Sequence, residues 1–183
     1  MFPPVRNARE GICDDAVRYT PVEAGLARAR AEKLIMEPRM LTHRLHLLHR
    51  GCSDMALLDE GCERVPDEKM GCMAGRASFW VTWDGRMTPC GMMNGPTAYP
   101  FETGFTSAWQ TIAQETDKLM LPATCTNCTM RSACTVCGAL CAAESGGFTH
   151  EQPQYLCETT RAYLAEMEKT YQQLIGGASH EDR

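Results

Sequence analysis

The chain has 183 residues and a net charge of −5, with acids and bases mixed along its length. That suits one ordinary domain, or a small domain plus a flank, and excludes both the basic block of a nucleic-acid binder and a long acidic tail. No apolar stretch reaches the roughly 18 residues a transmembrane helix needs, and Met1-Phe2-Pro3-Pro4-Val5-Arg6 lacks the basic-then-apolar layout of a signal peptide. The expectation is a soluble, cytoplasmic protein with no nucleic-acid or membrane partner. Eleven cysteines are the outlying feature. In a reducing compartment, closely spaced cysteines usually bind metal, and an odd count leaves one thiol over in any all-disulfide arrangement.

Taken in chain order, Thr20-Pro21-Val22-Glu23 is a helix start. Thr20 can cap, Pro21 sits where a missing N–H costs nothing, and Glu23 can complete a capping box. The helix is predicted to run to about Met36 and stop before Pro38. Leu41, Leu45 and Leu48 recur at helical spacing ahead of Gly51 and predict a second helix. Two such helices cannot bury their apolar faces without a further surface to pack on. Ser78-Phe79-Trp80-Val81-Thr82-Trp83, Asp84-Gly85 and Arg86-Met87-Thr88 predict a β-hairpin, with Cys72 before it and Cys90 after it. Residues 91–104 read as loop. Thr106 or Ser107 is expected to cap a helix carrying Trp109, Ile112 and Ala113 and ending near Leu121-Pro122. After Cys157, the residues Tyr163, Leu164, Met167, Tyr171 and Leu174 mark an amphipathic helix expected to stop at Gly176-Gly177, followed by a frayed tail.

The central signal is Cys125-x2-Cys128-x5-Cys134-x2-Cys137-x3-Cys141. A Cys-x-x-Cys pair lets two thiolates grip one metal atom or one cluster edge, and repeated pairs supply the soft ligands that zinc or an iron–sulfur cube prefers. With Cys62, Cys72, Cys90 and Cys157 there are nine cysteines between residues 62 and 157, enough for two four-thiolate sites with one spare. Thiolate spacing alone does not choose between iron–sulfur and zinc.

The ordered spacing Cys72-x12-Gly85-x4-Cys90, then Cys125-x2-Cys128-x5-Cys134, then a final Cys157, resembles the SPASM domain. That domain is the auxiliary module of radical S-adenosylmethionine enzymes that modify peptides and proteins, among them the anaerobic sulfatase-maturing enzymes. Cys72-Met73-Ala74-Gly75-Arg76, Trp83-Asp84-Gly85, Pro89-Cys90-Gly91-Met92-Met93 and Pro153-Gln154-Tyr155-Leu156-Cys157 agree as well, and the similarity covers about residues 70–160. Residues 1–60 resemble, more weakly, the end of a radical SAM barrel and its connector. The resemblance implies two auxiliary [4Fe–4S] clusters. Cys125, Cys128, Cys134 and Cys157 would hold one. Cys72 and Cys90 would hold the other with Cys137 or Cys141 and an upstream ligand, for which Cys62 is the candidate. The family's single cysteine four positions after Cys134 falls here on Gly138, flanked by Cys137 and Cys141, so the choice between those two stays open.

No cysteines have the Cys-x3-Cys-x2-Cys spacing that radical SAM chemistry uses, so the chain is not expected to bind S-adenosylmethionine alone, and no catalytic residue is assigned. It reads as a truncated or split gene product, or as an auxiliary subunit beside a separate radical SAM core protein, acting on a peptide or protein substrate. His43, His46 and His49 share a helix face and are taken as solvated rather than metal-binding. Cys13 and Cys52 lie outside the pattern and read as ordinary thiols. Phe79, Trp80 and Trp83 are expected to pack over the clusters, Asp84 to serve its turn, and Met92-Met93 to pack; Arg76 and Arg131 are taken as exposed. The predicted fold is α+β: a small β-hairpin and loop-rich metal-cluster domain over 62–160, flanked by a helical connector over 1–61 and a C-terminal helix over 161–183. Its predicted work is to bind two [4Fe–4S] clusters for electron transfer or substrate-peptide engagement. The alternatives are a zinc-stabilised interaction module or an inactive fragment of a split radical SAM gene.

Overall fold

The computed structural model describes residues 18–51, 69–145 and 152–178. It is mostly helical, with one two-stranded antiparallel sheet, a composition compatible with α+β. Cys13, Cys52 and Cys62, and the tail beyond residue 178, lie outside the described residues. The chain divides into two units. Among described residues, a helical unit holds 19–51, 128–135 and 154–178, and a hairpin unit holds residue 18 with 69–127, 136–145 and 152–153.

In the helical unit, α1 (Pro21–Ile35) starts as its sequence dictates. The Glu23 amide donates to the Thr20 hydroxyl at 3.3 Å, and the Thr20 amide donates back to the Glu23 carboxylate at 2.9 Å. Met36 turns extended, and Pro38 opens α2 (Pro38–His49). Gly51 closes it in the left-handed conformation (φ 69°), its N–H on the Leu48 carbonyl. The surface that α1 and α2 lacked is α7 (Gln154–Ala178). Ala29, Leu45, Leu48, Tyr163, Met167 and Ala133 form one buried cluster. Helices α1 and α7 meet at Gly25, where a side-chain carbon would fall 2.5 Å from the Thr159 carbonyl oxygen and 2.8 Å from the Tyr163 nitrogen. The Tyr163 hydroxyl donates to Glu32 at 2.6 Å, and the Arg28 guanidinium lies 3.9 Å from the centre of its ring.

Two features of α7 depart from expectation. It begins at Gln154, so Cys157 lies inside it, and it runs through Gly176-Gly177 to Ala178. Glycine permits the left-handed stop without forcing it, and adding a residue to a long established helix is easy. His46 and His49 pack on Tyr171, with ring centroids at 5.1 and 4.3 Å, and His49 Nδ1 pairs with Glu168 at 3.0 Å. These two histidines are engaged with α7 rather than simply solvated.

In the hairpin unit, β1 (Trp80–Val81) pairs with β2 (Met87–Thr88) in the register Trp80 to Thr88 and Val81 to Met87. The strands are shorter than the run of strand formers suggests. The Thr82 amide reaches the Arg86 carbonyl (2.8 Å) and the Gly85 amide reaches the Thr82 carbonyl (2.9 Å), leaving Trp83-Asp84-Gly85 as a three-residue loop with Gly85 at φ 83°. Asp84 does serve this turn. Its carboxylate accepts from the Thr82 hydroxyl and from Arg86 Nε, and the Thr82 hydroxyl is the chief cause of its lowered pKa. A short helix, α3 (Pro100–Thr103), precedes α4 (Phe105–Thr116). The residue before α4 is Gly104, not Thr106 or Ser107, and α4 ends at Thr116 rather than near Leu121. With φ at 83°, Gly104 makes the bend between the two helices, a conformation threonine and serine rarely adopt. Met87, Ala98, Ala108 and Ile112 form the core beneath α4.

Candidate metal centre

Cys90 and Cys137, from separate stretches of the hairpin unit, pack against one buried cluster of Met70, Ala74, Met93 and Ala139, and Cys72 lies between Met70 and Ala74 in the chain. Cys72 sits in the bends just before Ala74, which bridges to Ser78. Cys90 follows β2, where its carbonyl accepts from the Thr88 hydroxyl (3.1 Å) and the Met93 amide (3.1 Å). Cys137 directly precedes α6 (Gly138–Ser145). The Gly138 amide donates to the Met70 carbonyl at 3.0 Å, which ties the start of α6 to the segment leading into Cys72. Burial pushes the Cys137 thiol above its usual pKa. The amides of Leu140 and Ala139 donate to its sulfur and oppose that shift, while Cys72 and Cys90 lie near enough to raise it further. Cys72, Cys90 and Cys137 are free thiols.

The floor is apolar. Met70, Ala74, Met93 and Ala139 are buried together, with Met92 and Leu119 against them. The Met92 amide points at the Cys90 sulfur at 3.5 Å. Trp80 lies over this loop: a side-chain carbon on Gly91 would stand 3.3 Å from the indole. The other two aromatic residues of the hairpin go elsewhere. Phe79 packs edge-on against Phe105 (5.4 Å) and Trp109 (5.6 Å), and Trp83 is 96 % exposed at the turn. Strand alternation explains the split, because Trp80 points to the opposite face from Phe79. Arg76 pairs with Asp117 at 3.4 Å.

Of the two cysteines flanking Gly138, Cys137 packs against the apolar cluster that Cys90 also meets. Cys141 is buried on α6, its amide on the Cys137 carbonyl at 3.0 Å. The helix-terminal setting of Cys137 went unread in the sequence, although Gly138-Ala139-Leu140-Cys141-Ala142-Ala143 is a run of small, helix-compatible residues.

The cysteines assigned to the second site divide between the units. Cys125 belongs to the hairpin unit, buried in the single turn α5 (Ala123–Thr126), with its amide on the Pro122 carbonyl at 2.7 Å. Cys128, Cys134 and Cys157 belong to the helical unit. There the Cys128 carbonyl accepts from the Arg131 amide (3.1 Å), and the Cys134 amide donates to the Met130 carbonyl (2.9 Å). Arg28 fixes the Ala133 carbonyl at 2.7 Å. Arg131 is half-buried rather than exposed, and its Nε is buried without a hydrogen-bond partner. Cys157 is buried in the first turn of α7.

No three His, Cys, Asp or Glu side chains among the described residues are gathered so as to hold one metal ion. Nor, among these residues, is any helix long and apolar enough to cross a membrane. Compared with known proteins, the chain matches no family model, no curated protein and no solved structure.

Proposed function

We propose that this chain binds two auxiliary [4Fe–4S] clusters and serves electron transfer or substrate-peptide engagement beside a radical S-adenosylmethionine core protein, as its resemblance to the SPASM domain implies. The observation that carries the reading is the packing of Cys90 and Cys137 against one buried apolar cluster, with Cys72 between two members of that cluster, Met70 and Ala74. Cys90 and Cys137 are half-buried on that apolar floor, Cys72 is exposed beside it, and backbone amides face the Cys90 and Cys137 sulfurs. Soft thiol donors, amide hydrogen bonds to sulfur and limited solvent access are what thiolate-held iron uses.

A bound cluster supplies one-electron redox chemistry at a potential set by its surroundings. The chain's own part is to hold and shield. The Ala139 and Leu140 amides at the start of α6 stabilise charge on the Cys137 sulfur, and the Met92 amide does so for Cys90. Met70 and Met93 exclude water beneath the thiols, and Trp80 covers the Cys90 loop. Cys125, Cys128, Cys134 and Cys157 would hold the second cluster.

Anaerobic reconstitution followed by an iron and sulfide count tests this. About eight iron atoms per chain are expected, with a visible absorption band that dithionite bleaches. Cys137→Ser is expected to halve the iron, to about four atoms. A colourless protein that takes up zinc and no iron would replace the reading with a zinc-stabilised interaction module.

A further inference from the structure

We propose that the open edge of β1, with the aromatic side chains around it, docks an extended, apolar and basic segment of another polypeptide as an added strand. The backbone defines the edge. Met87 exchanges both its hydrogen bonds with Ala98, at 2.7 and 3.0 Å, so its N–H and C=O face away from β1. Val81 stands opposite Met87. At such a non-bonded pair, the groups of both residues turn outward from the ladder. The N–H and C=O of Val81 therefore point away from β2, to a side where no described residue bonds them, and Phe79, two residues earlier, repeats that orientation.

An edge of this kind specifies its occupant. Backbone donors and acceptors at strand spacing are matched by another extended backbone, through strand addition. Proteins commonly protect such edges with lysine, proline or a covering loop. Here the edge residues are Phe79, Trp80 and Val81, 42 %, 53 % and 38 % exposed. Phe101 is exposed beside the turn, where it lies against Gly85, and Phe105 is exposed where it meets Phe79. Alternate apolar side chains of an added strand would rest on these rings. Charge argues against a second copy of the chain, because each copy carries −5, and favours a basic partner. Asp84 at the turn is already paired with Arg86 at 2.8 Å, and Glu102 is the exposed acid next to Phe101. The proposal rests on the peptide-engagement half of the function above, and its test is separable from that of the clusters.

The probe is a labelled peptide of alternating valine and lysine, titrated into the reconstituted full-length chain and followed by fluorescence anisotropy. Saturable binding is expected. N-methylation of the peptide's valine amides in one version, and of its lysine amides in another, should weaken binding about tenfold or more in one version only, because a strand bonds its neighbour through alternate residues. Phe101→Ala, which removes an exposed ring, should also weaken it without changing helical dichroism. Lack of saturable binding, equal effects of the two methylations, or a dimer of the chain that the peptide dissociates would each overturn the proposal. Iron is counted on the same samples. Peptide binding without iron removes the cluster reading and leaves this surface standing; iron without peptide binding does the reverse.

Discussion

In the unit built from α1, α2 and α7, the residues Ala29, Leu45, Tyr163 and Met167 are each at most 2 % exposed and belong to one apolar cluster. Among the described residues of the hairpin unit, one apolar cluster lies under α4 and another against Cys90 and Cys137, each of four buried residues, and the strands are two residues long. A two-stranded hairpin has marginal stability by itself. The helical unit can be ordered by burying side chains. The segment around Cys72 and Cys90 is largely turns and bends from Gly71 to Gly95.

Removing metal is the strongest way to break this comparison. A chelator applied to the reconstituted protein is expected to abolish amide-exchange protection around Met70–Met93 and Cys137–Cys141, while α1, α2 and the later turns of α7 keep theirs. Structural thiolate–metal binding contributes on the order of 10 kcal/mol per site, judging from zinc modules. Equal loss in both units would mean that the helical core also depends on metal.

Gly25→Val probes the other side of the comparison. The new side chain would collide with the α7 backbone at Thr159 and Tyr163. A loss of about 3 kcal/mol is expected, read as a lower urea midpoint of the helical signal. Iron content should change little.

High pH gives a smaller effect on the same core. Burial, and then the hydrogen bond to Glu32, push the Tyr163 pKa up to about 12. A raised folded pKa means that the stabilisation is complete below the unfolded value, near 10, and is lost as pH rises toward the folded one. Stability is expected to fall by about 2 kcal/mol between pH 10 and 12 on this account. Tyr163→Phe should flatten that part of a urea-midpoint profile.

The smallest effect should come from Trp83→Ala. The indole is 96 % exposed, and its loss should move stability by no more than about 0.5 kcal/mol in a thermal melt. A larger drop would show that the indole packs somewhere the turn geometry does not reveal.

Sequence was most informative where local chemistry decides the structure. Thr20, Pro21 and Glu23 make the start of α1 by contacts within one turn, and Asp84-Gly85 fixes the hairpin. Element ends chosen by long-range packing were less legible. Gly176-Gly177 offers a stop that α7 does not take, and Gly104, rather than either hydroxyl residue, precedes α4. At the thiols, spacing named the residues, but neither the packing of Cys90 and Cys137 on one apolar cluster nor the Gly138–Met70 hydrogen bond could be read from it. Both depend on residues far apart in the chain. The packing of Phe79 on Phe105 and Trp109, away from the cysteines, depends likewise on where α4 lies.

The bond from Tyr163 to Glu32 spans 131 positions in sequence. During synthesis, that interval corresponds to on the order of ten seconds. Once Leu45 and Leu48 emerge they lack the helix that will cover them, so this core must close after most of the polypeptide has been made.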